Sequence, residues 1–247
     1  MQQKLNIDYP GFALSFFRRR LNYVFDKMAV HKIQDFYDSL DNREKRDMVA
    51  YYMSVPATEM FRDPAFWRAL RKQLQGRKEI SIWFPDLASG DELYSMMILL
   101  RQLGIQKFHV VANCTSQRAI DDIKTRSIST KTDPINRSNF ERLETGDNFD
   151  NYVIVSAEHI ELKPEILEGV EFRLAWFLNE IVEKYDLIIF RNVLLNYGPQ
   201  LNDTAMRRLY KSLNDKGLLT IGIKETLGQK TQIVHAVNAN EGIYGLS

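Results

Sequence analysis

The chain has 247 residues and is 45% hydrophobic, enough for one large domain or for a small domain joined to a larger one. Its 33 Lys and Arg residues balance 32 Asp and Glu residues, which argues against a nucleic-acid partner. The single cysteine excludes an internal disulfide, and the chain shows neither a signal peptide nor an apolar run long enough to span a membrane, which predicts a cytoplasmic protein without membrane insertion.

The N-terminal part has the apolar spacing of helices. Residues 11–25 predict a first helix, residues 30–40 a second, and a third follows Asn42. Asp63 and Pro64 predict a further helix that runs to about Leu74, with Asp63 as its N-cap and Pro64 in its first turn.

Positive charge is concentrated in the same region. Residues 1–75 hold 13 basic and 9 acidic residues, a net charge of +4, and Arg18, Arg19 and Arg20 follow one another on the first helix. Consecutive residues point in different directions on a helix, so at least one of these arginines must face solvent. The arginines predict either a basic docking surface or ordinary solvated helix faces.

From residue 80 onward, strands alternate with helices. This pattern predicts an α/β fold with a doubly wound, mostly parallel sheet. Two further strands, at residues 152–155 and 170–177, are expected to form a small antiparallel insert over about residues 150–178. Residues 231–237 are expected to pair with the strand at 218–223 as a terminal hairpin. The predicted domains are a helical N-terminal domain with a linker helix, residues 1–76, and an α/β domain, residues 77–247.

Residues 80–100 form the most informative unit, a strand, a loop of small residues and a helix. Ligands of open α/β sheets bind at the carboxyl ends of the strands, where this loop lies. Asp91 and Glu92 stand where the helix begins, so they either face a ligand or only stabilise the helix start. The loop lacks the glycine patterns that cradle pyrophosphate or triphosphate. Its acids suit a ligand that carries positive charge or ribose hydroxyls.

Four segments together resemble one family. They are SVPATEMFRDP at residues 54–64, ASGDELYS at 88–95, YDLIIFRNVLLNY at 185–197 and GLLTIGIKETL at 217–227. In order and spacing they are similar to the chemotaxis receptor methyltransferases of the CheR type, over about residues 10–228. The resemblance implies a helical N-terminal domain, an α/β domain that binds S-adenosylmethionine or S-adenosylhomocysteine, and methylation of glutamate side chains on receptor helices.

The resemblance also implies which residues form the site. Arg62 and Tyr197 are the expected catalytic residues, and no metal is expected. The expected cofactor-binding residues are Thr58, Arg62, Ala88, Gly90, Asp91, Glu92, Asn113, Asn192 and Val193. Two of these have alternative interpretations, Arg62 as a surface ion pair and Asn192 as a turn-forming residue after a strand. We predict that Arg62, Glu92, Asn113 and Asn192 converge on one cleft.

Several positions depart from the family pattern. Asn113 stands where the family has an acid for the ribose hydroxyls, and Asn196 stands where it has an active-site Tyr. Residues 85–87, Pro-Asp-Leu, replace small residues, Pro56 replaces an Asn, and Ala175 or Trp176 stands where an Asn is expected. Two hypotheses follow. The chain is an active protein methyltransferase that docks an acidic, chemoreceptor-like helix through its basic N-terminal helices, or it is a catalytically inactive binding module. A small-molecule methyltransferase is less favoured, because the family uses the N-terminal domain for protein docking.

Overall fold

The computed structural model describes residues 2–55, 58–156, 159–227 and 234–246. The predicted N-terminal helices are confirmed, and α2 buries Phe16 and Val24 on one side, as its apolar spacing requires. The side chain of Asn42 caps α4 by accepting a 3.1 Å hydrogen bond from the Lys45 amide. The helices of this region are α1 (Gln2–Leu5), α2 (Leu14–Met28), α3 (Ile33–Ser39), α4 (Arg43–Met53) and α5 (Pro64–Leu74).

The predicted start of α5 is confirmed, but the predicted N-cap hydrogen bond of Asp63 is wrong. Pro64 is the first helical residue, as predicted, yet the Asp63 side chain makes no capping hydrogen bond. Asp63 has a left-handed backbone, with φ of 58°, and its carboxylate accepts a 2.6 Å hydrogen bond from Arg191 instead. An ion pair from a distant part of the chain therefore replaces the local cap.

The predicted mostly parallel sheet is confirmed. Within the described residues the main sheet has seven strands, in the order β6-β2-β1-β7-β8-β10-β9. Strands β6, β2, β1, β7 and β8 of this sheet are parallel. The strands of the described ranges are β1 (Glu79–Phe84), β2 (Lys107–Cys114), β3 (Ser127–Ile128), β4 (Val153–Val155), β5 (Ile160–Leu162), β6 (Val170–Leu174), β7 (Tyr185–Ile189), β8 (Leu213–Thr220), β9 (Val234–Asn238) and β10 (Ile243–Leu246). The helices of this part are α6 (Asp91–Gln102), α7 (Gln117–Lys124), α8 (Asp133–Glu141) and α9 (Pro199–Lys211).

The predicted insert contains an error. An antiparallel subsheet exists, but among the described residues it consists of β3, β5 and β4. Strand β6, which was expected to belong to it, pairs in parallel with β2 at the edge of the main sheet, with Val170 opposite Val110. Strand partners lie far apart in sequence, so the pattern of residues 170–177 could predict a strand but not its neighbour.

The predicted terminal hairpin is also wrong in its pairing. Strand β9 does not pair with β8, because β10 lies between them and is antiparallel to both. The first part of the predicted segment, residues 231–233, lies outside the described residues. The left-handed Gly242, with φ of 67°, ends the short turn that leads into β10, and an added Cβ there would meet the Ile221 carbonyl oxygen at 2.3 Å.

Two hydrophobic clusters flank the main sheet. One packs α5, α6 and α7 against Ile82 and Val110, while the other packs the N-terminal helices and α9 against Trp83 and Ile188. Because the second cluster joins the N-terminal helices directly to the sheet, the division at residue 76 stays a prediction. Within the described ranges, no helix is both long and apolar enough to cross a bilayer.

Candidate functional site

A cavity of about 290 Å³ lies at the carboxyl ends of β1, β2 and β7. The loop after β1 contributes Asp86 to Ser89, and the loop after β7 contributes Arg191 to Val193. The N-terminal segment covers it with Tyr9, Phe12, Phe16 and Arg19. This is the position at which parallel α/β sheets bind ligands.

The segment from Thr58 to Asp63 forms one wall of the cavity. Its middle is fixed in the core, since the Phe61 amide donates to Ser95 Oγ at 2.8 Å and the Met60 amide donates to Asn136 Oδ1 at 2.9 Å. Phe61 and Asp63 both have left-handed backbones, with φ of 52° and 58°. Strained residues of this kind persist where the surrounding structure holds them, and they cluster at functional sites.

Arg62 and Thr58 both line the cavity, as the sequence predicted. The Arg62 side chain is 45% exposed, and its ion pair with Glu59 is a loose one at 4.0 Å. An exposed pair of this geometry contributes little to stability. The guanidinium is therefore free to bind a carboxylate of a ligand through two parallel hydrogen bonds.

Arg191 holds the acidic loop and the Arg62 segment together. Its guanidinium donates to Glu92 Oε1 at 2.9 Å and to Asp63 Oδ2 at 2.6 Å, and it lies 3.9 Å from the centre of the Phe66 ring. The arginine is buried, so both ion pairs are shielded from water. Arg191 lies in the matched segment 185–197, but no role was predicted for it, because its partners are distant in sequence.

The loop after β7 brings Asn192 and Val193 to the cavity, as predicted. Asn192 has φ of 60°, and its amide donates to Glu225 Oε2 at 2.9 Å. The same carboxylate accepts hydrogen bonds from the amides of Gly222, at 2.6 Å, and Leu195, at 3.2 Å. Glu225 thus positions Asn192, a role that was not predicted from the sequence, although Glu225 lies in the last matched segment.

Only some of the predicted cofactor-binding residues that follow β1 line the cavity. Ala88 and Glu92 line the cavity, whereas Gly90 and Asp91 are not among its lining residues. Gly90 is needed for packing, because an added Cβ would lie 2.1 Å from the Tyr94 ring. The Asp91 carboxylate accepts a 2.9 Å hydrogen bond from Ser89 within its own turn. Of the two interpretations of this acidic pair, helix-start stabilisation describes Asp91, and a ligand-facing position describes Glu92.

Asn113 does not join the other predicted residues. Its side-chain oxygen accepts a 2.8 Å hydrogen bond from the Trp83 indole, and its amide nitrogen donates to Glu180 Oε2 at 2.9 Å. Side chains of a strand alternate between the two faces of the sheet, and Asn113 lies on the face that Trp83 occupies. The prediction of a four-residue convergence is therefore correct for Arg62, Glu92 and Asn192 and wrong for Asn113.

Tyr197 lines the cavity and meets Asp86, one of the positions that depart from the family pattern, and its catalytic role stays a prediction. Its hydroxyl donates to Asp86 Oδ2 over 3.4 Å. Burial raises the pKa of Asp86 to about 6, with an opposing effect from the Tyr197 hydroxyl. Burial also raises the pKa of Tyr9, and Asp86 adds to that increase through its charge. The signal for this site was the replacement of small residues by Pro-Asp-Leu at 85–87.

The arginines of α2 point in different directions. Arg18 and Arg19 are exposed, and Arg19 reaches the cavity. Arg20 is half-buried, donates to the Tyr52 carbonyl oxygen and lies 4.4 Å from the centre of the Tyr23 ring. The expectation that at least one arginine faces solvent is confirmed, and the docking role stays a prediction.

The lining residues suit S-adenosylmethionine, which carries a carboxylate, an ammonium and a sulfonium. Arg62 offers a loosely paired guanidinium for the carboxylate, and Glu59 lies beside it. Asp86 is a half-buried carboxylate in the wall of the cavity, and such a charge is stabilised by an opposite charge. The donors and acceptors present therefore fit this group.

Comparison with known proteins gives one consistent result. Residues 56–243 match the family described as CheR methyltransferase, SAM binding domain. Cher3 of Pseudomonas putida is 24% identical over 233 residues, covering 91% of this chain and 85% of the relative. The chemotaxis protein methyltransferase of Vibrio parahaemolyticus is 26% identical over 251 residues, covering 92% of this chain and 86% of the relative. The corresponding Listeria innocua protein is 24% identical over 223 residues, covering 85% and 80%.

Solved structures give a weaker likeness. The N-methyltransferase NodS from Bradyrhizobium japonicum WM9, in complex with S-adenosyl-L-homocysteine, has a TM-score of 0.37 and 14% identity, covering 76% of this chain and 70% of that chain. The assignment of the family therefore rests on the sequence match over residues 56–243.

Proposed function

The chain belongs to the CheR methyltransferase family and contains its S-adenosylmethionine-binding domain, and we propose that it methylates glutamate carboxylates of receptor or signalling proteins. Bound S-adenosylmethionine supplies an electrophilic methyl group on a sulfonium. A carboxylate nucleophile is ionised at neutral pH, so the protein needs no strong general base. Its residues have to bind, align and exclude water.

One observation carries the proposal, the assembly of Thr58, Arg62, Glu92, Asn192 and Tyr197 around a single cavity. These residues come from three distant parts of the chain. Arg191 fixes two of those parts through Glu92 and Asp63, and Glu225 fixes the third through the Asn192 amide. Arg62 is then held where it can bind the carboxylate of the cofactor or of the substrate, which is the positioning that the reaction requires.

Substrate docking is proposed to use the N-terminal helix α2. Arg18 and Arg19 are exposed on it, next to the cavity that Arg19 lines. An acidic receptor helix would be attracted to this face, mainly through a faster association rate that falls as salt is added. Replacing both arginines with Ala should weaken substrate binding more at low salt than at high salt, and an equal loss at both would assign them to a solvated surface.

The catalytically inactive module remains the second candidate, on one observation. Asn113 stands where the family has an acid for the ribose hydroxyls, and its side chain is fully engaged by Trp83 and Glu180. Cofactor binding must therefore proceed without that contact. A module that docks a signalling partner without chemistry would tolerate this loss.

The deciding experiment has two stages. Calorimetric titration with S-adenosylhomocysteine tests binding, and transfer of radiolabelled methyl groups to a purified chemoreceptor signalling domain tests chemistry. Carboxyl methyl esters release methanol in base, which separates them from methylated amines. Binding with base-labile transfer supports the proposal. Binding without transfer supports the module, and absence of binding contradicts both the use of the cofactor and the proposed reaction.

A matched pair of variants sharpens both stages. Arg62 and Arg68 are both partly exposed, and each has an acidic partner at 4.0 Å, Glu59 and Glu144 respectively. Only Arg62 lines the cavity. We expect Arg62→Ala to weaken S-adenosylhomocysteine binding by roughly tenfold or more, the effect of losing a charge-assisted hydrogen bond. Arg68→Ala should leave the affinity unchanged, and equal effects of both variants would remove Arg62 from the site.

A further inference from the structure

Asp86 is a carboxylate at the cavity with little to balance its charge. Among the described residues it forms no ion pair with Lys, Arg or His, and its side chain accepts one long hydrogen bond, 3.4 Å from the Tyr197 hydroxyl. Burial is the largest influence on this group and favours its neutral form. Asp86 is half-buried in the wall of the cavity, and a charge partly withdrawn from water without a partner is unfavourable, so its carboxylate indicates a cationic ligand.

The surroundings of Asp86 are aromatic. The Tyr9 and Phe12 ring centroids are 5.5 Å apart, and those of Phe12 and Tyr197 are 4.9 Å apart in an edge-to-face arrangement. All three rings line the cavity, and the pKa of both Tyr9 and Tyr197 is raised by burial first and further by the charge of Asp86. The carboxylate is therefore close to a continuous wall of rings.

We propose that Asp86, together with the aromatic wall of Tyr9, Phe12 and Tyr197, holds the sulfonium of S-adenosylmethionine. This inference rests on the proposed use of that cofactor, and it adds that the site distinguishes the cofactor from its product. S-adenosylhomocysteine is a neutral thioether at the same atom. The site would therefore distinguish substrate from product by charge, which promotes release of the product after each transfer.

The chemistry of the wall favours a sulfonium over an ammonium. An ammonium has three N–H donors and is strongly hydrated, so a buried one needs several acceptors. The rings of Tyr9, Phe12 and Tyr197 line the cavity together with Asp86, and the Tyr197 hydroxyl is already directed to the carboxylate. A sulfonium donates no N–H hydrogen bond and spreads its charge over its carbon substituents. Cations of this kind are attracted to aromatic faces and to a nearby anion.

Asp86→Asn tests the inference, because it removes the charge and nearly keeps the shape. Affinities of the full chain for S-adenosylmethionine and for S-adenosylhomocysteine are measured by calorimetry, with thermal melts to confirm that each variant is folded. We expect the variant to bind S-adenosylmethionine roughly tenfold more weakly and S-adenosylhomocysteine within about twofold of the wild type. Asp91→Asn is the matched control, since Asp91 begins α6 directly after the same loop but does not line the cavity. It should leave the ratio of the two affinities unchanged.

Each other outcome contradicts the inference. An equal loss for both ligands would assign Asp86 to a group that they share, such as the ammonium. Unchanged affinities would remove Asp86 from the cofactor site while leaving the proposed function intact. A wild-type protein that binds neither ligand would overturn the proposed function, and the assignment of Asp86 with it.

Discussion

Replacing Asp86 with Asn should stabilise the ligand-free protein at neutral pH. Burial raises the pKa of Asp86 from its ordinary value of 3.8 to about 6. A carboxyl whose pKa is higher in the folded protein than in the unfolded chain destabilises the folded protein when it ionises. The folded protein is therefore favoured at low pH, and this advantage is lost as the pH rises toward the folded-state pKa. The ionised carboxylate should therefore cost about 1 kcal/mol at pH 4.5 and about 3 kcal/mol above pH 7. Water in the cavity screens the charge, so these values are upper bounds.

The assay is thermal unfolding of the wild type and Asp86→Asn, followed by circular dichroism at pH 4.5 and pH 8. For a chain of this size, a gain of about 3 kcal/mol raises the Tm by roughly 6 to 12 °C. The groups that Asp86 influences, Tyr9, Tyr197 and Cys114, all have raised pKa values, so they stay neutral across this range. Burial also raises the pKa of Glu92 and Glu225, but both are present in the wild type and the variant, so the difference between the two proteins reports Asp86. Saturating S-adenosylmethionine should stabilise the wild type more than the variant. A Tm gain of the same size at both pH values, or a lower Tm at pH 8, would refute the reasoning.

Three further substitutions test the scaffold of the site. Arg191→Met leaves the carboxylates of Glu92 and Asp63 without their shared partner, and should lower the free energy of unfolding in urea by about 3 to 5 kcal/mol; full stability would contradict the ion-pair geometry. Gly90→Ala places a Cβ 2.1 Å from the Tyr94 ring, so it should lower the free energy of unfolding by about 1 to 3 kcal/mol. The loss should be smaller when Tyr94 is replaced by Leu, and a double-mutant cycle that shows no coupling would exclude this contact as the cause. Glu225→Gln weakens the acceptor for the amides of Gly222 and Asn192, so it should reduce S-adenosylhomocysteine affinity more than Asp91→Asn does, as measured by calorimetry.

The elements of this fold were predictable because their signals are local. The apolar run of β1, the acids that begin α6 and the proline that begins α5 are read within a few residues. Sheet order is not local, which is why β6 was given the wrong neighbour and β10 was missed between β8 and β9. A strand pattern shows that a segment will pair, but its partner depends on tertiary packing.

The residues of the site were also predictable only where their positions follow from local sequence or strand order. The motif order correctly brought Arg62, Glu92 and Asn192 together, since the carboxyl ends of parallel strands meet at one edge. The direction of Asn113 was wrong, because β2 continues to Cys114 and the alternation of its side chains decides the facing. Arg191 could not be assigned from its neighbours, because its partners lie 99 and 128 residues away.

Asp86 bears on the choice between the two functional hypotheses. Carboxylates with strongly perturbed pKa values cluster at functional sites, and Asp86 has such a pKa and no ion pair among the described residues. A module that binds no cation gains nothing from it. Transfer of a methyl group from a sulfonium to a carboxylate removes charge in the transition state, so an anion at the sulfonium stabilises the bound cofactor more than the transition state. Asp86 would therefore serve cofactor capture and product discrimination, while Arg62 and the docking of the acidic substrate serve the transfer itself.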